Sequence, residues 1–383
     1  LCLSSLGFPA NHSDLEATHD MPSPPLPRTT ATPDAPLVGL IANPVSARDI
    51  RRIVANASNL QLADRVNIVL RALATLAATG VTRVLMMPDR AGIRAMLSRH
   101  LQREHNLQHA FPQVEFLDLE PTSTVDDTFL AARLLREAGA AAIIVLGGDG
   151  THRAVVRELI AGADSSTAIP IAGLSTGTNN AFPELRESSV VGLAVGLYAT
   201  GRLSAEQALA PNKLLDVSIQ SGDGIRRDIA LVDAAISTDR YIGARALWKP
   251  EGLHSVFLTF AEPHAIGLSS IGGLLAPIAR DAPGGLAVRL AADPARRQFG
   301  LLAPIAPGMA REIGIEQFEP MPAGRPFAVD LDAGVVALDG ERELTFKSGE
   351  RVTVTLRENA FRTVDIARCM RVAATAGLFR LCS

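Results

Sequence analysis

Between Leu37 and Leu174 the chain carries five strand-length segments that are apolar on successive residues: Val38–Ala42, Arg83–Met87, Val114–Leu119, Ala141–Leu146 and Ala168–Leu174. A strand with one wet face alternates polar and apolar side chains. Unbroken runs instead predict strands covered on both faces, as in a parallel sheet. Helical patterns separate them. Val66, Val69, Leu70, Leu73, Leu76 and Ala77 make one apolar stripe, closed by Gly80 in a C′-like place. Thr124 with Asp127 three residues on predicts a capping box opening a helix through Leu135. Alternating β and α of this length predicts an α/β doubly wound parallel sheet.

After Gly201 the rhythm changes. Strand-like segments follow one another at Leu214–Ile219, Asp228–Ile236, Ser255–Phe260, Leu286–Leu290, Phe299–Leu302, Ile313–Phe318, Val335–Leu338 and Val352–Leu356. Ser221-Gly222-Asp223-Gly224 and Leu338-Asp339-Gly340-Glu341 read as hairpin turns, and Ile266–Ile278 as one Gly- and Ser-rich helical insert. The expected organisation is therefore an α/β domain over 37–201 and a β-rich domain over 202–383, whose last segment could return to the first domain. Two such domains leave a cleft suited to a small molecule. Residues 1–36 hold seven of the 24 prolines and few large apolar side chains, which predicts a disordered lead-in. Met21 opens its Pro-rich stretch, and translation is expected to begin there, leaving residues 1–20 upstream of the coding start.

Charge and cysteine usage narrow the class. Lys and Arg number 37 against 40 Asp and Glu, a net of -3 with no basic stripe, which argues against nucleic acid as the main partner. Cys2, Cys369 and Cys382 have neither pairing nor zinc spacing, which argues against a disulfide scaffold or structural metal and for a reducing, cytoplasmic setting. Apolar stretches such as Ala265–Ala279 are broken by Ser, Gly and Pro, so no membrane span is expected.

Two strand–turn–helix stretches could do chemistry. In the first, Ile143–Leu146 leads into Gly147-Gly148-Asp149-Gly150-Thr151 and then a helical pattern over Arg153–Ile160. Three glycines let the backbone approach a ligand closely, and the helix start turns free N–H groups on the same spot, ready for phosphate. Asp149 could take a proton from a hydroxyl or help to hold a metal; the plain alternative is that it caps its helix. The turn is not a Walker loop, lacking Gly-Lys-Ser/Thr. Nor is it the dinucleotide fingerprint, because Arg153 fills the third glycine's place. In the second stretch, Ile171–Leu174 leads into Ser175-Thr176-Gly177-Thr178-Asn179-Asn180, whose hydroxyls and amides could bond phosphate or ribose oxygens or merely satisfy the turn itself. Gly173-Leu174-Ser175-Thr176-Gly177 also fits a nucleophile elbow, with His254 and His264 downstream. A hydrolase, however, leaves the Gly-Gly-Asp-Gly-Thr turn unexplained. His100, His105 and His109, and Arg48, Arg51 and Arg52, read as solvated surface.

Taken together these residues resemble the ATP–NAD kinase family, most closely its acetoin-catabolism protein X branch. The resemblance rests on Gly147–Thr151, on Gly39-Leu40-Ile41-Ala42-Asn43-Pro44 with Asp49–Arg52, on Ser175–Pro183, on Tyr241–Trp248 and on Ile266–Ile271, and it spans about Leu37 to Arg368. It implies the fold shared by NAD kinases and diacylglycerol-type lipid kinases, with the site between the domains. It further implies ATP, Mg²⁺ or another divalent cation, and phosphoryl transfer to the 2′-hydroxyl of NAD. Asp149 would be the base; Gly147, Gly148, Gly150 and Thr151 would cradle phosphates; and Asn43, Gly177, Thr178, Asn179 and Asn180 would complete the pocket. Asp233, Ser269 and Ser270 would face the acceptor. The acceptor end departs from NAD kinases, since Ala230-Leu231-Val232-Asp233 keeps an acid but has Val232 for the amide. Asn43-Pro44 and Gly177–Asn180 lean toward the lipid-kinase pattern, although Ala47 stands where that pattern has Gly. A lipid kinase and a nucleotide-binding regulator without turnover stay open as alternatives, as does homo-oligomerisation.

Overall fold

The computed structural model describes residues 36–44, 60–106, 111–161, 168–176, 180–184, 186–238, 252–291, 293–306, 308–340 and 342–380. The expectations for the N-terminal lead-in, for Arg48, Arg51 and Arg52, for His109, for Tyr241–Trp248 and for Gly177, Thr178 and Asn179 lie outside them.

The five apolar runs become parallel strands β1 (Leu37–Ala42), β2 (Arg83–Met86), β3 (Gln113–Phe116), β4 (Ala142–Gly147) and β5 (Ile171–Ser175), in the order β3-β2-β1-β4-β5. Every residue of β1 and β4 is buried, the reason these strands do not alternate. Helices cover both faces, so the sheet is doubly wound. Helices α1 (Leu62–Ala78), α2 (Ile93–Asn106) and α5 (Ser188–Ala199) pack through Val66, Leu73, Ile93 and Val195 against Val38, Leu40 and Ile144. On the other face α3 (Val125–Glu137) and α4 (Asp149–Ile160) pack through Leu135 and Val156 against Ile41, Ile143 and Val145. Helices α1 and α5 cross closely because Gly192 has no side chain; a Cβ there would stand 2.5 Å from Ala72 O.

A short helix α6 (Ala205–Ala208) leads into β6 (Leu209–Ser221) and β7 (Gly224–Ala230), which pair across the turn at Gly222-Asp223. They extend the same sheet through β16 (Arg351–Val364), which lies parallel to β5 and antiparallel to β6. The last segment thus returns to the first sheet, and α8 (Ile366–Thr375) docks on its α5 side through Ile366, Cys369 and Ala373. A second, antiparallel sheet takes β8 (Asp233–Ser237), β9 (Leu253–Leu258), β10 (Gly285–Leu290), β11 (Phe299–Ala306), β12 (Met309–Met321), β14 (Gly334–Leu338) and β15 (Arg342–Phe346), in the order β11-β12-β10-β9-β8-β14-β15. The short β13 (Pro326–Ala328) pairs with β16, and α7 (Ser269–Leu275) lies within the expected insert. The result is a mixed α/β fold with a parallel N-terminal sheet and a β-rich C-terminal part.

Some local expectations are corrected. Thr124 caps α3 through Asp126 N–H at 3.2 Å, but Asp127 does not close a box with it. Its carboxylate instead accepts the N–H groups of Thr122 and Ser123 at 2.8 and 2.7 Å. Ser123 has a φ of 65°, which folds that turn back onto the helix start and offers nearer donors. Strand β16 runs well beyond the expected Val352–Leu356. Its register shifts between Arg357 and Phe361, with Asn359 at φ 50°, and that irregularity breaks the alternation a sequence reading follows. The loop between Leu338 and Arg342 has positive φ at Asp339 (50°) and Gly340 (67°), so the chain does turn there.

Candidate active site

Strand order reverses at β1 and β4, and in open α/β sheets the crevice beyond the strand ends at that point is where ligands bind. Asn43 follows β1 there, its N–H bonded to Leu146 O at 3.0 Å. Its side-chain amide donates to Thr151 Oγ1 at 3.1 Å, tying the first turn of α4 to the end of β1. Gly147 must be glycine: a Cβ would stand 2.6 Å from Thr151 Cβ. Gly148 is the N-cap of α4 in extended conformation, so the helix begins at Asp149 with its N-terminus at the crevice. Its dipole and early N–H groups favour an anion at that end.

Asp149 is buried, and its carboxylate reaches across to the second stretch. Oδ2 accepts Ala181 N–H at 3.0 Å and Oδ1 accepts Phe182 N–H at 2.9 Å. The acid of the glycine turn thereby anchors the loop after β5. In that loop Asn180 Nδ2 donates to Ser175 Oγ at 2.8 Å. His254 and His264, the histidines a nucleophile elbow would require, lie beside Ser255 Oγ and the Glu262 carboxylate instead.

One turn along α4 from Asp149, Arg153 starts a buried charge network. Its guanidinium lies 3.3 Å from the Asp228 carboxylate on β7 and 3.9 Å from Asp339. Asp339 accepts the N–H groups of Leu231, Val232 and Asp233 at 2.9, 2.8 and 3.2 Å, and so sets the start of β8, whose first residue is Asp233. Burial pushes the Asp339 carboxyl well above its ordinary range; the Asp233 charge adds to this, Arg153 and the Leu231 N–H oppose it, and Asp149 contributes last.

His152 packs behind the turn, fully buried, with Nδ1 2.8 Å from Gly148 O and its ring 5.6 Å from that of Phe182. Burial holds its pKa down to about 4, against the pull of the Gly148 and Val145 carbonyls, so the ring is neutral near pH 7. Ser269 and Ser270 are buried at the start of α7 with their hydroxyls bonded to carbonyls of Ile266, Gly267 and Pro304.

Arg65 was not among the residues the sequence singled out. Buried on α1, it donates to Asn43 O at 3.1 Å and Pro44 O at 2.8 Å, holding the chain as it leaves β1. Its signal was a charge in phase with the apolar stripe through Val69, Ala72 and Leu76. Arg153 had a signal too, as the residue that spoils the dinucleotide fingerprint.

Residues 38–202 match the ATP-NAD kinase N-terminal domain, and residues 213–359 match the acetoin catabolism protein X C-terminal domain. Acetoin catabolism protein X of Cupriavidus necator is 59% identical over 347 residues, covering 90% of this chain and 94% of that one. The chain belongs to the acetoin catabolism protein X branch of the ATP–NAD kinase family. Among solved structures, yeast NADH kinase complexed with NADH is similar at a TM-score of 0.51 and 12% identity, covering 92% of this chain and 91% of that one. A diacylglycerol kinase from Bacillus anthracis gives a TM-score of 0.42 at 11% identity, over 86% of this chain and 96% of that one. The NADH kinase match is a likeness of fold. Among the described residues no helix is long and apolar enough to cross a membrane.

Proposed function

We propose that this chain is a phosphotransferase that moves the terminal phosphoryl group of ATP to the 2′-hydroxyl of NAD, releasing ADP and NADP in the cytoplasm. The observation that carries this reading is the Asp149 carboxylate, fixed at the N-terminus of α4 by two backbone N–H groups of the loop after β5. The phosphate end and the acid are thereby built as one unit. Membership of the ATP–NAD kinase family and a fold like that of a kinase crystallised with NADH support a dinucleotide acceptor.

In the reaction the acceptor oxygen bonds the γ-phosphorus as the bond to the β,γ-bridging oxygen breaks, and the hydroxyl proton passes to Asp149. Phosphoryl transfer asks little covalent chemistry of the protein, and alignment with charge stabilisation does most of the work. The helix N-terminus and the Gly147–Thr151 turn would hold phosphate oxygens. Both Asp149 oxygens accept backbone N–H bonds from the loop after β5, which fixes the direction of the carboxylate. Among the described residues no group of three His, Cys, Asp or Glu side chains could hold a metal. Mg²⁺ carried in on a nucleotide needs only one or two protein carboxylates, and Asp149 or Asp233 would supply one. When bound, Mg²⁺ neutralises phosphate charge.

A regulator that binds nucleotide without turnover is the second reading, favoured by Val232 in the place of an amide. Purified protein incubated with Mg²⁺, labelled ATP and separate acceptors decides between them. The proposal expects label in NADP; label only in diacylglycerol vesicles means a lipid kinase, and ATP binding without any labelled product means a regulator.

A further inference from the structure

The peptide unit joining Ala181 to Phe182 sits between two opposite charges. Its N–H, on Phe182, points to Asp149 Oδ1 at 2.9 Å, and its C=O, on Ala181, accepts a bond from Arg280 Nη2. Arg280 Nη1 donates to Phe182 O at 2.7 Å, while Ala181 N–H donates to Asp149 Oδ2 at 3.0 Å. A trans peptide sends its N–H and C=O to opposite sides. Carboxylate and guanidinium therefore grip this backbone from opposite sides, with the peptide dipole aligned between them. Each end is a charge-assisted hydrogen bond, and chains of such bonds polarise and strengthen one another.

Arg280 is itself held. Its guanidinium lies over the Phe260 ring at 4.3 Å, and Nε faces Glu262 at 3.3 Å. The loop that carries it is pinned by Lys213, a buried β6 residue whose Nζ donates to the carbonyls of Ala279, Ala282 and Gly284 at 3.4, 2.7 and 2.8 Å. Burial lowers the pKa of that amine. The Asp149 carboxylate thus ends a chain of contacts that starts in the β-rich half: Lys213, the 279–284 loop, Arg280, the peptide of Ala181 and Phe182, and the carboxylate. The same loop also borders a cavity of about 220 Å³, lined by Phe182, Arg186, Asn212, Arg280 and Thr363.

We propose that Arg280 is a positioning residue through which the β-rich half sets the direction of the Asp149 carboxylate. This rests on the phosphotransferase reading, but the clamp exists without turnover and is tested without it. In the full chain with no substrate, Arg280→Met is expected to speed hydrogen exchange at the Ala181 and Phe182 amides, as Asp149→Asn does, while amides within β1 and β4 keep their protection. In turnover, Arg280→Met lowers kcat by up to about 10²-fold, the scale of an ångström-sized misplacement. The KM for ATP stays unchanged because the Gly147–Thr151 turn is untouched. Arg280→Lys keeps the charge and one carbonyl bond, and recovers part of both effects. Unaltered exchange at those two amides in Arg280→Met overturns the proposal, and so does a loss of turnover that enters wholly through the KM for ATP. If the wild type phosphorylates no acceptor while Arg280→Met still frees the two amides, the phosphotransferase reading fails and the clamp stands.

Discussion

Gly147 and Thr151 meet across the first turn of α4 with no room between them: a Cβ added to Gly147 would stand 2.6 Å from Thr151 Cβ and 2.7 Å from Oγ1, the atom that accepts the Asn43 amide. Gly147→Ala must therefore push Thr151 off Asn43 and open the turn. Overpacking of this kind costs about 1–3 kcal/mol. The expected outcome is a lower urea midpoint together with weakened ATP binding by calorimetry; unchanged ATP affinity would remove the turn from the phosphate site.

Gly192 provides the contrast. A Cβ there would meet Ala72 O at 2.5 Å where α1 and α5 cross, on a helix face and not in the glycine turn. Gly192→Ala is expected to cost a similar amount, about 1–3 kcal/mol, in urea unfolding. ATP affinity measured on the folded protein should not change. If both variants weaken ATP binding equally, the effect of Gly147→Ala reflects stability alone.

His152 gives the fold a pH dependence of known sign. Its pKa falls from 6.5 in the unfolded chain to about 4 in the fold, so the unfolded state binds the extra proton between those values. Stability is full above pH 6.5 and is lost as pH falls toward 4. The loss approaches about 3 kcal/mol at 1.36 kcal/mol per unit. Urea unfolding of the wild type and His152→Gln between pH 7 and pH 4 checks this: the wild-type advantage should shrink on acidification. A gap that widens contradicts a buried neutral ring.

The parallel sheet was legible because burial on both faces leaves an unbroken apolar run, and the glycine turn because a contact as close as that of Gly147 with Thr151 admits no side chain. What stayed hidden was every side chain whose role depends on a distant partner. Asp339 read as a hairpin residue, and it is one, but its three backbone donors lie more than a hundred positions earlier, around Val232. Arg280 sits in an undistinguished loop and acquires meaning only where β6 and the loop after β5 come together. Asp149 was visible as an acid between a strand and a helix, while the bonds that orient it come from Ala181 and Phe182, residues with apolar side chains that act through their backbone. Ser269 and Ser270 entered only through the family resemblance, as acceptor-side residues, and the carbonyls their hydroxyls bond, at Ile266, Gly267 and Pro304, could not be read from the sequence.

The account turns on Asp149, and the direct measurement is the rate of NADP and ADP formation from NAD, ATP and Mg²⁺ by the wild type and by Asp149→Asn. The wild type should form the two products in equal amounts. The variant should still bind ATP and turn over about 10²–10⁴-fold more slowly, the usual contribution of a positioned base. A wild type that makes no NADP, or a variant whose rate stays near that of the wild type, would contradict it.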